Sequence, residues 1–490
     1  MNTKKKFLFI FIFITFQLFS ESYRDYRLDD LNYLNNGRKR IQNEGRIETS
    51  AKSKNTDKDT GEEGSDTKFI YNSFITSKFY SQKGGDKEDL ARRYATQANF
   101  APEFVGFKRS GNNQFMILAS PILSYKENYH LKRSVDRVVD TEAILAWKFD
   151  KSNFSINIEG GRGFQRLDAY GLFFNGITNY FESNLFWKPF GIKFSLLALS
   201  YNYKQENFTI RANATNDKIF GGNLLFTSLP FINHLQIFNY LVVEPGQIAE
   251  KQYYQADKQF KPNGRFIYNG LELKTNPFWK IDTELGLFFV KGYRDYAEYS
   301  YQQLNHISKT NAFLSYLAFN WNLNQLNLRL GGLYSTKDKS NAVDRAHNGY
   351  SSLLSDVRIF GGKSSFLLME NVNAKNGTLF RDFDSSIENR YDTKGMQLFS
   401  LGFSYPLSAS FQVSTILNHT NSNLGVGNEV IFSGMYRNSN TDPFSGFFYG
   451  SLCIAHVNPV TERKIIFDEL RVDPTNKEFL RLYFASGIHF

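Results

Sequence analysis

The chain closes on FLRLYFASGIHF, residues 479–490, and the reading of this stretch decides the fold. Counted back in twos, one parity holds Phe490, Ile488, Ser486, Phe484, Leu482 and Leu480. The other holds His489, Gly487, Ala485, Tyr483, Arg481 and Phe479. A period of two, with one apolar and one mixed face, belongs to a strand lying between two different environments. Ends of soluble domains usually fray into water. An apolar last strand needs a partner strand on its edge and something other than water against its face.

The same period recurs upstream. FSINIEGG sets Phe154, Ile156 and Ile158 against Ser155, Asn157 and Glu159. KIDTELGLFF sets Ile281, Thr283, Leu285, Leu287 and Phe289 against Asp282, Glu284 and Gly286. LNLRLGGL does likewise with Leu326, Leu328 and Leu330. Apolar spacings of three and four, which a helix needs, do not occur in these stretches. The 49 Phe and 28 Tyr suit strands with one apolar face and aromatic girdles.

Short turns are expected at 150–153, 187–191, 227–233, 275–280, 320–325, 360–363, 405–409 and 438–445. Longer polar stretches lie between them. This rhythm is that of a transmembrane antiparallel β-barrel with short periplasmic turns and long outer loops. Eight short turns and a closing seam predict about 18 strands, within a range of 16–20. Closure would also remove every exposed edge. A soluble propeller or sandwich also alternates, but does not pair this rhythm with the chain's two ends.

At the other end, MNTKKKFLFIFIFITFQLFS places Lys4, Lys5 and Lys6 before an apolar run ending at Phe19. The run is too short to span a bilayer, and Ser20 and Ser22 follow it, so residues 1–22 read as a secretory signal peptide. Residues 23–111 read as a polar N-terminal extension. Within it, 37–66 carries almost no large apolar side chains and is expected to be a disordered linker. The stretch 68–80 looks like a strand of unassigned partner, and 81–111 looks irregular. The barrel is expected over 112–490, with the last strand pairing near residues 112–126. Leu480, Leu482, Phe484, Ile488 and Phe490 would face lipid, and Arg481 the lumen.

A last strand of this kind resembles the assembly signal of bacterial outer-membrane barrels. That resemblance implies outer-membrane lipids and the barrel-assembly machinery as partners. IEGGRGFQRLDAYGLFFNGITNYF, residues 158–181, resembles the alginate-export family of barrels in Gly161-Arg162, Tyr170-Gly171 and Gly176. The GLELKTNPFWKIDTELGLFF hairpin is similar in style. The resemblance implies an outer-membrane channel for small solutes or an anionic polysaccharide.

Rings of like charge set the selectivity of a pore. The mixed faces of the strands supply Lys148, Lys193, Lys274, Arg329, Arg358 and Arg481, with Glu142, Glu159, Glu272, Asp282 and Glu284 among them. Arg162 and Arg166 lie in a glycine-flanked stretch expected to be a loop folding inward to a constriction. Catalytic chemistry is not indicated. The seven histidines are scattered without metal-ligand spacing, and there is no nucleophile elbow or phosphate loop. No cofactor, metal or nucleic acid is expected. The single cysteine, Cys453, excludes an internal disulfide framework. A second reading is a plugged barrel whose long surface loops, such as 245–263 and 373–394, bind ligands as an adhesin does.

Overall fold

Alternation like that of the closing stretch organises eighteen segments in the computed structural model. The structure describes residues 66–83, 92–129, 133–201, 217–227, 229–245, 263–295, 307–323, 325–336, 346–350, 352–353, 357, 359–368, 395–422, 425–438, 445–459 and 477–489. The first nine strands are β1 (Asp66–Lys83), β2 (Arg92–Ser110), β3 (Asn113–Tyr129), β4 (Arg133–Asp150), β5 (Phe154–Arg166), β6 (Asn175–Trp187), β7 (Ile192–Tyr201), β8 (Asp217–Phe226) and β9 (Ile232–Glu244). The second nine are β10 (Asn263–Thr275), β11 (Ile281–Asp295), β12 (Ile307–Leu323), β13 (Leu326–Ser335), β14 (Met396–Pro406), β15 (Phe411–Ser422), β16 (Gly425–Asn438), β17 (Ser445–Pro459) and β18 (Glu478–His489).

Each strand pairs antiparallel with its neighbours in the chain, and β18 pairs back onto β1. Phe74 stands opposite His489 and Lys83 opposite Leu480 across that seam. The sheet is therefore a closed 18-strand barrel. Closure pairs the backbone of every strand on both sides, which is what a hydrocarbon solvent demands. A two-residue bridge, Ala346–His347, adds a short parallel contact to Lys309 and Thr310 of β12.

The outer face carries the apolar parity. Phe69, Val139, Leu145, Phe181, Phe289, Phe399, Phe432 and Phe448 are all exposed on it. On β18, Leu480, Phe484 and Ile488 are exposed and Leu482 is half-buried, while Arg481, Tyr483 and Ala485 are buried on the inner face. The exposed and buried parities of that strand are those the sequence alternation separates. Phe490, residues 1–22, expected to be a signal peptide, and residues 37–65, expected to be a linker, lie outside the described residues.

Three expectations need correction. Residues 66–83 and 92–110 are not an extension but β1 and β2, so the sheet begins at Asp66. The seam partner of β18 is therefore β1, not the 112–126 stretch, which lies in β3. Alternation in β2 is masked because Pro102 interrupts its outward column between Phe100 and Phe104, and its inward column mixes Ala101, Glu103 and Val105. Proline has no N–H for a ladder. The β2–β3 pairing skips from Phe100 to Phe104, opposite a stretch of β3 that contains Pro121.

The third correction concerns FGGK, residues 360–363, which is not a hairpin turn. It belongs to the long β13–β14 connection, and a 3-10 turn, Gly362–Ser364, follows Gly361 there. A short turn at Gly111–Asn112, between β2 and β3, was not anticipated. One false turn and one missed turn cancel, and the strand number stands at eighteen.

Candidate pore constriction

Two segments leave the wall and pack inside the barrel. The first is the β5–β6 connection, residues 167–174. Its Leu172, Phe173 and Phe174 are fully buried, although they sit in a loop. The second lies in the β13–β14 connection, where Leu353, Val357, Ile359, Phe360 and Phe366 to Leu368 are buried. The two touch: the Leu353 N–H donates to Phe173 O at 3.0 Å, and the Tyr350 hydroxyl donates to Leu172 O at 3.2 Å.

Apolar packing holds the first segment in place. The Phe173 ring lies 4.6 Å from Tyr268, 5.6 Å from Tyr240 and 5.7 Å from Phe238, centroid to centroid. These wall rings are inward-facing and belong to β9 and β10. Neighbouring strands make room for such rings with glycine. A Cβ on Gly270 would fall 2.0 Å from the Phe238 ring, and one on Gly286 2.0 Å from Tyr316. Rings at 4.5–7 Å in tilted or offset geometry contribute beyond their buried area.

Carboxylates fix the loop's shape. Asp168 accepts hydrogen bonds from the backbone N–H groups of Leu172, Phe173 and Phe174 at 2.6, 2.9 and 3.1 Å. Burial raises the Asp168 carboxyl above its ordinary range; the three N–H groups and the Arg166 charge act against that rise. Glu272 on β10 accepts from the Ala169 N–H at 2.9 Å and from the Tyr316 hydroxyl at 3.2 Å. The Tyr170 hydroxyl donates to Glu284 on β11. Glu284 also takes Arg329 at 2.8 Å and Lys274 at 3.2 Å, and Lys274 reaches Asp282 at 3.8 Å. The Arg329 guanidinium lies over the rings of Tyr170 and Phe360, at 5.9 and 5.4 Å.

The second segment has its own anchor. Glu429 on β16 accepts from Phe366 N at 2.9 Å, Leu367 N at 3.2 Å, Asn418 Nδ2 at 2.6 Å and the Ser365 hydroxyl. Arg481 on β18 donates to Ser365 O at 2.8 Å and to Gln82 of β1 at 2.8 Å. It also stacks over Phe366 at 5.2 Å. The closing seam therefore carries the latch of this segment.

The sequence-derived cations fall in different places. Lys274 and Arg329 meet at Glu284. Arg481 is a latch at the seam. Lys193 of β7 is 4.0 Å from Glu182. Arg162 and Arg166 sit on β5, not in a loop. The residues that turn inward are the ones after them; Gly161 (φ 142) serves the wall, letting β5 run against Ala143, whose carbonyl would lie 2.0 Å from a Cβ there. Arg162 makes a two-pronged pair with Asp140, its Nε and Nη2 at 2.8 and 2.9 Å. Arg358 lies outside the described residues. Among the described residues no cluster of three metal-ligating side chains occurs. Sequence reasoning missed Asp168, Tyr170, Phe173 and Glu429. A carboxylate in a glycine-containing loop, four to six positions before an apolar run whose N–H groups have no strand partner, was the available signal for Asp168.

No protein-family model and no curated protein sequence matches the chain. Solved structures do. The crystal structure of Pseudomonas aeruginosa OccK5 (OpdH) superposes with a TM-score of 0.50 over 86% of this chain and 98% of that one, at 12% identity. The fold is that of an outer-membrane porin barrel. P. aeruginosa OprD aligns with a TM-score of 0.48 at 10% identity, over 86% of this chain and 95% of that chain. P. aeruginosa OpdK, solved with vanillate, gives 0.48 and 10%, over 86% and 98%. At such identities the likeness is one of fold.

Proposed function

We propose that this protein is a non-enzymatic channel of the outer membrane of a diderm bacterium, reached after removal of residues 1–22, that passes small solutes through a narrowed lumen. The observation that carries the reading is a closed, lipid-belted barrel whose lumen is reduced by two segments hydrogen-bonded to the wall. Small solutes fit this lumen better than an anionic polysaccharide. Inward carboxylates Glu159, Glu182, Glu272, Asp282 and Glu284 outnumber the cations Lys193, Lys274 and Arg329 beside them, and each of those cations has an acidic partner. The alginate-export likeness in Gly161-Arg162, Tyr170-Gly171 and Gly176 is a likeness of backbone pattern; the arginine in it is occupied by Asp140.

The fully buried aromatic layer around Phe173 favours a second reading, a plugged barrel that acts through its surface loops. Loops 246–262 and 373–394 lie outside the described residues. Planar-bilayer recording of the refolded full chain separates the two. The channel reading expects small, discrete current steps that a uronate polymer does not block. Block by that polymer would restore the polysaccharide reading, and silence at all voltages would favour the plug.

A further inference from the structure

Two hydrogen-bonded polar pairs interrupt the apolar outer face of the barrel. One of them joins β9 to β10. Asn239 and Asn269 stand opposite each other there, both exposed, and the Asn239 amide donates to the Asn269 side-chain oxygen at 2.5 Å. Their parity is the lipid-facing one. Ile237 and Leu241 flank Asn239, Ile267 flanks Asn269, and all three are exposed. The residues between them, Phe238, Tyr240, Phe266 and Tyr268, are buried on the lumen side.

Hydrocarbon offers no hydrogen bonds, so a polar group exposed to it needs a protein partner. An asparagine amide carries two N–H groups and an oxygen that accepts twice. The single bond between the two amides therefore leaves donors and acceptors unspent on both. Their row of the sheet leaves them open as well. Gly222 of β8 stands opposite Asn239, and Phe289 of β11 stands opposite Asn269. Gly222 has no side chain to lie over the amides, and a Cβ there would fall 2.3 Å from the Ser195 carbonyl oxygen. Phe289 is exposed and adds only an apolar neighbour.

The second pair lies on the opposite side of the barrel, at the seam. Ser77 of β1 and Ser486 of β18 bond hydroxyl to hydroxyl at 2.7 Å. A hydroxyl has one donor, which rotates to whatever acceptor its own wall provides. The donors of an amide are fixed in its plane and more numerous. The β9–β10 pair therefore asks for a partner where the seam pair does not.

We propose that the outer face of β8–β10 is the contact surface for a second copy of this chain within the membrane, the two Asn239–Asn269 pairs meeting across a two-fold axis. Complementarity identifies the occupant. The pair offers donors and acceptors together, so it matches itself when turned about such an axis, and an acyl chain matches none of it. Hydrogen bonds between chains hold membrane proteins together where apolar contact alone gives no preference over lipid. The exposed Ile237, Leu241, Ile267 and Phe289 supply the packing around the polar centre. The inference rests on the membrane-embedded reading above and is independent of conduction.

The test measures the mass of the refolded full chain by sedimentation equilibrium in a density-matched mild detergent, beside flotation of the same protein with phosphatidylcholine vesicles. The wild type should float and should show a monomer–dimer equilibrium. N239L/N269L should float equally well, because leucine suits the belt, and should dissociate roughly ten-fold more readily. If that variant does not insert, N239A/N269A carries the same comparison. S77A/S486A should leave the equilibrium within about two-fold of the wild type. Wild-type monomers at every concentration would overturn the proposal, and so would dimers of unchanged strength in an inserted asparagine variant. A wild type that does not float with vesicles would instead overturn the membrane reading itself.

Discussion

The two inward segments solve the same problem by different means. Residues 167–174 are shaped from within by Asp168, which caps three N–H groups of its own loop, and are then pressed into a layer of wall rings. The segment around Ser364–Leu368 has a single side-chain brace of its own, the Leu368 N–H donating to the Ser365 hydroxyl at 3.0 Å. It is held from outside by Glu429 on β16 and by Arg481 at the β18–β1 seam. A self-shaped loop can dock after the wall has closed. A segment held across the seam can be seated only once β18 has met β1. The second anchor therefore couples constriction to barrel closure, and the first does not.

The largest effect is expected where a buried charge organises several donors. Glu429→Ala leaves the Phe366 and Leu367 N–H groups without their acceptor and should cost about 2–6 kcal/mol, at about 1–3 kcal/mol for each stranded buried donor. Urea titration in vesicles reads it, and protease cleavage near residues 364–368 should appear. A loss confined to the cleavage pattern, with unchanged unfolding, would show that the latch is independent of the seam. Next comes Phe173→Ala, which empties a ring-sized space among Phe238, Tyr240 and Tyr268. A cost of about 3 kcal/mol is expected, at the lower end for aromatic truncation because the loop can collapse. Asp168→Ala should cost about 1–3 kcal/mol, the penalty for stranding a buried donor. It should expose 167–174 to protease while leaving 364–368 protected. Equal exposure of both segments would erase the contrast drawn above.

At the small end stands Arg162→Ala. Its pair with Asp140 is part-exposed, and such pairs are worth about 0–1 kcal/mol. Conductance and unfolding should both stay near wild type. A marked change in ion selectivity would return Arg162 to the constriction, where its glycine-flanked setting first suggested it belonged.

The wall was legible because lipid imposes one rule on every outward position, and Phe484 and Ile488 obey it as plainly as Phe181 or Phe289. The strand count was legible through turn chemistry, with Asn-Pro and Trp-Lys at 276–280 marking the β10–β11 hairpin. β1 was legible as a strand over 68–80 but its partners were not, and β2 was missed, because inward residues of a polar lumen follow no single rule, and Pro102 with Pro121 broke the period where it would have been counted. The inward segments were opaque for a related reason. Leu172-Phe173-Phe174 reads locally as a buried strand, and only the tertiary fold reveals that its apolar surroundings are the inside of the barrel. Of the candidate cations, Lys274, Arg329 and Arg481 were found as residues, but their pairings were not. Arg329 meets Glu284 from two strands away, and Arg481 meets Gln82 and the Ser365 carbonyl across the closing seam, contacts that only register and closure bring together.

The most direct test of the central claim, that two wall-anchored segments narrow the lumen, is single-channel conductance of the wild type beside Asp168→Ala/Glu429→Ala. The account predicts a small conductance for the wild type and a several-fold larger, noisier one for the double variant. A wild type that already conducts as a wide pore, with no change on releasing both anchors, would contradict it.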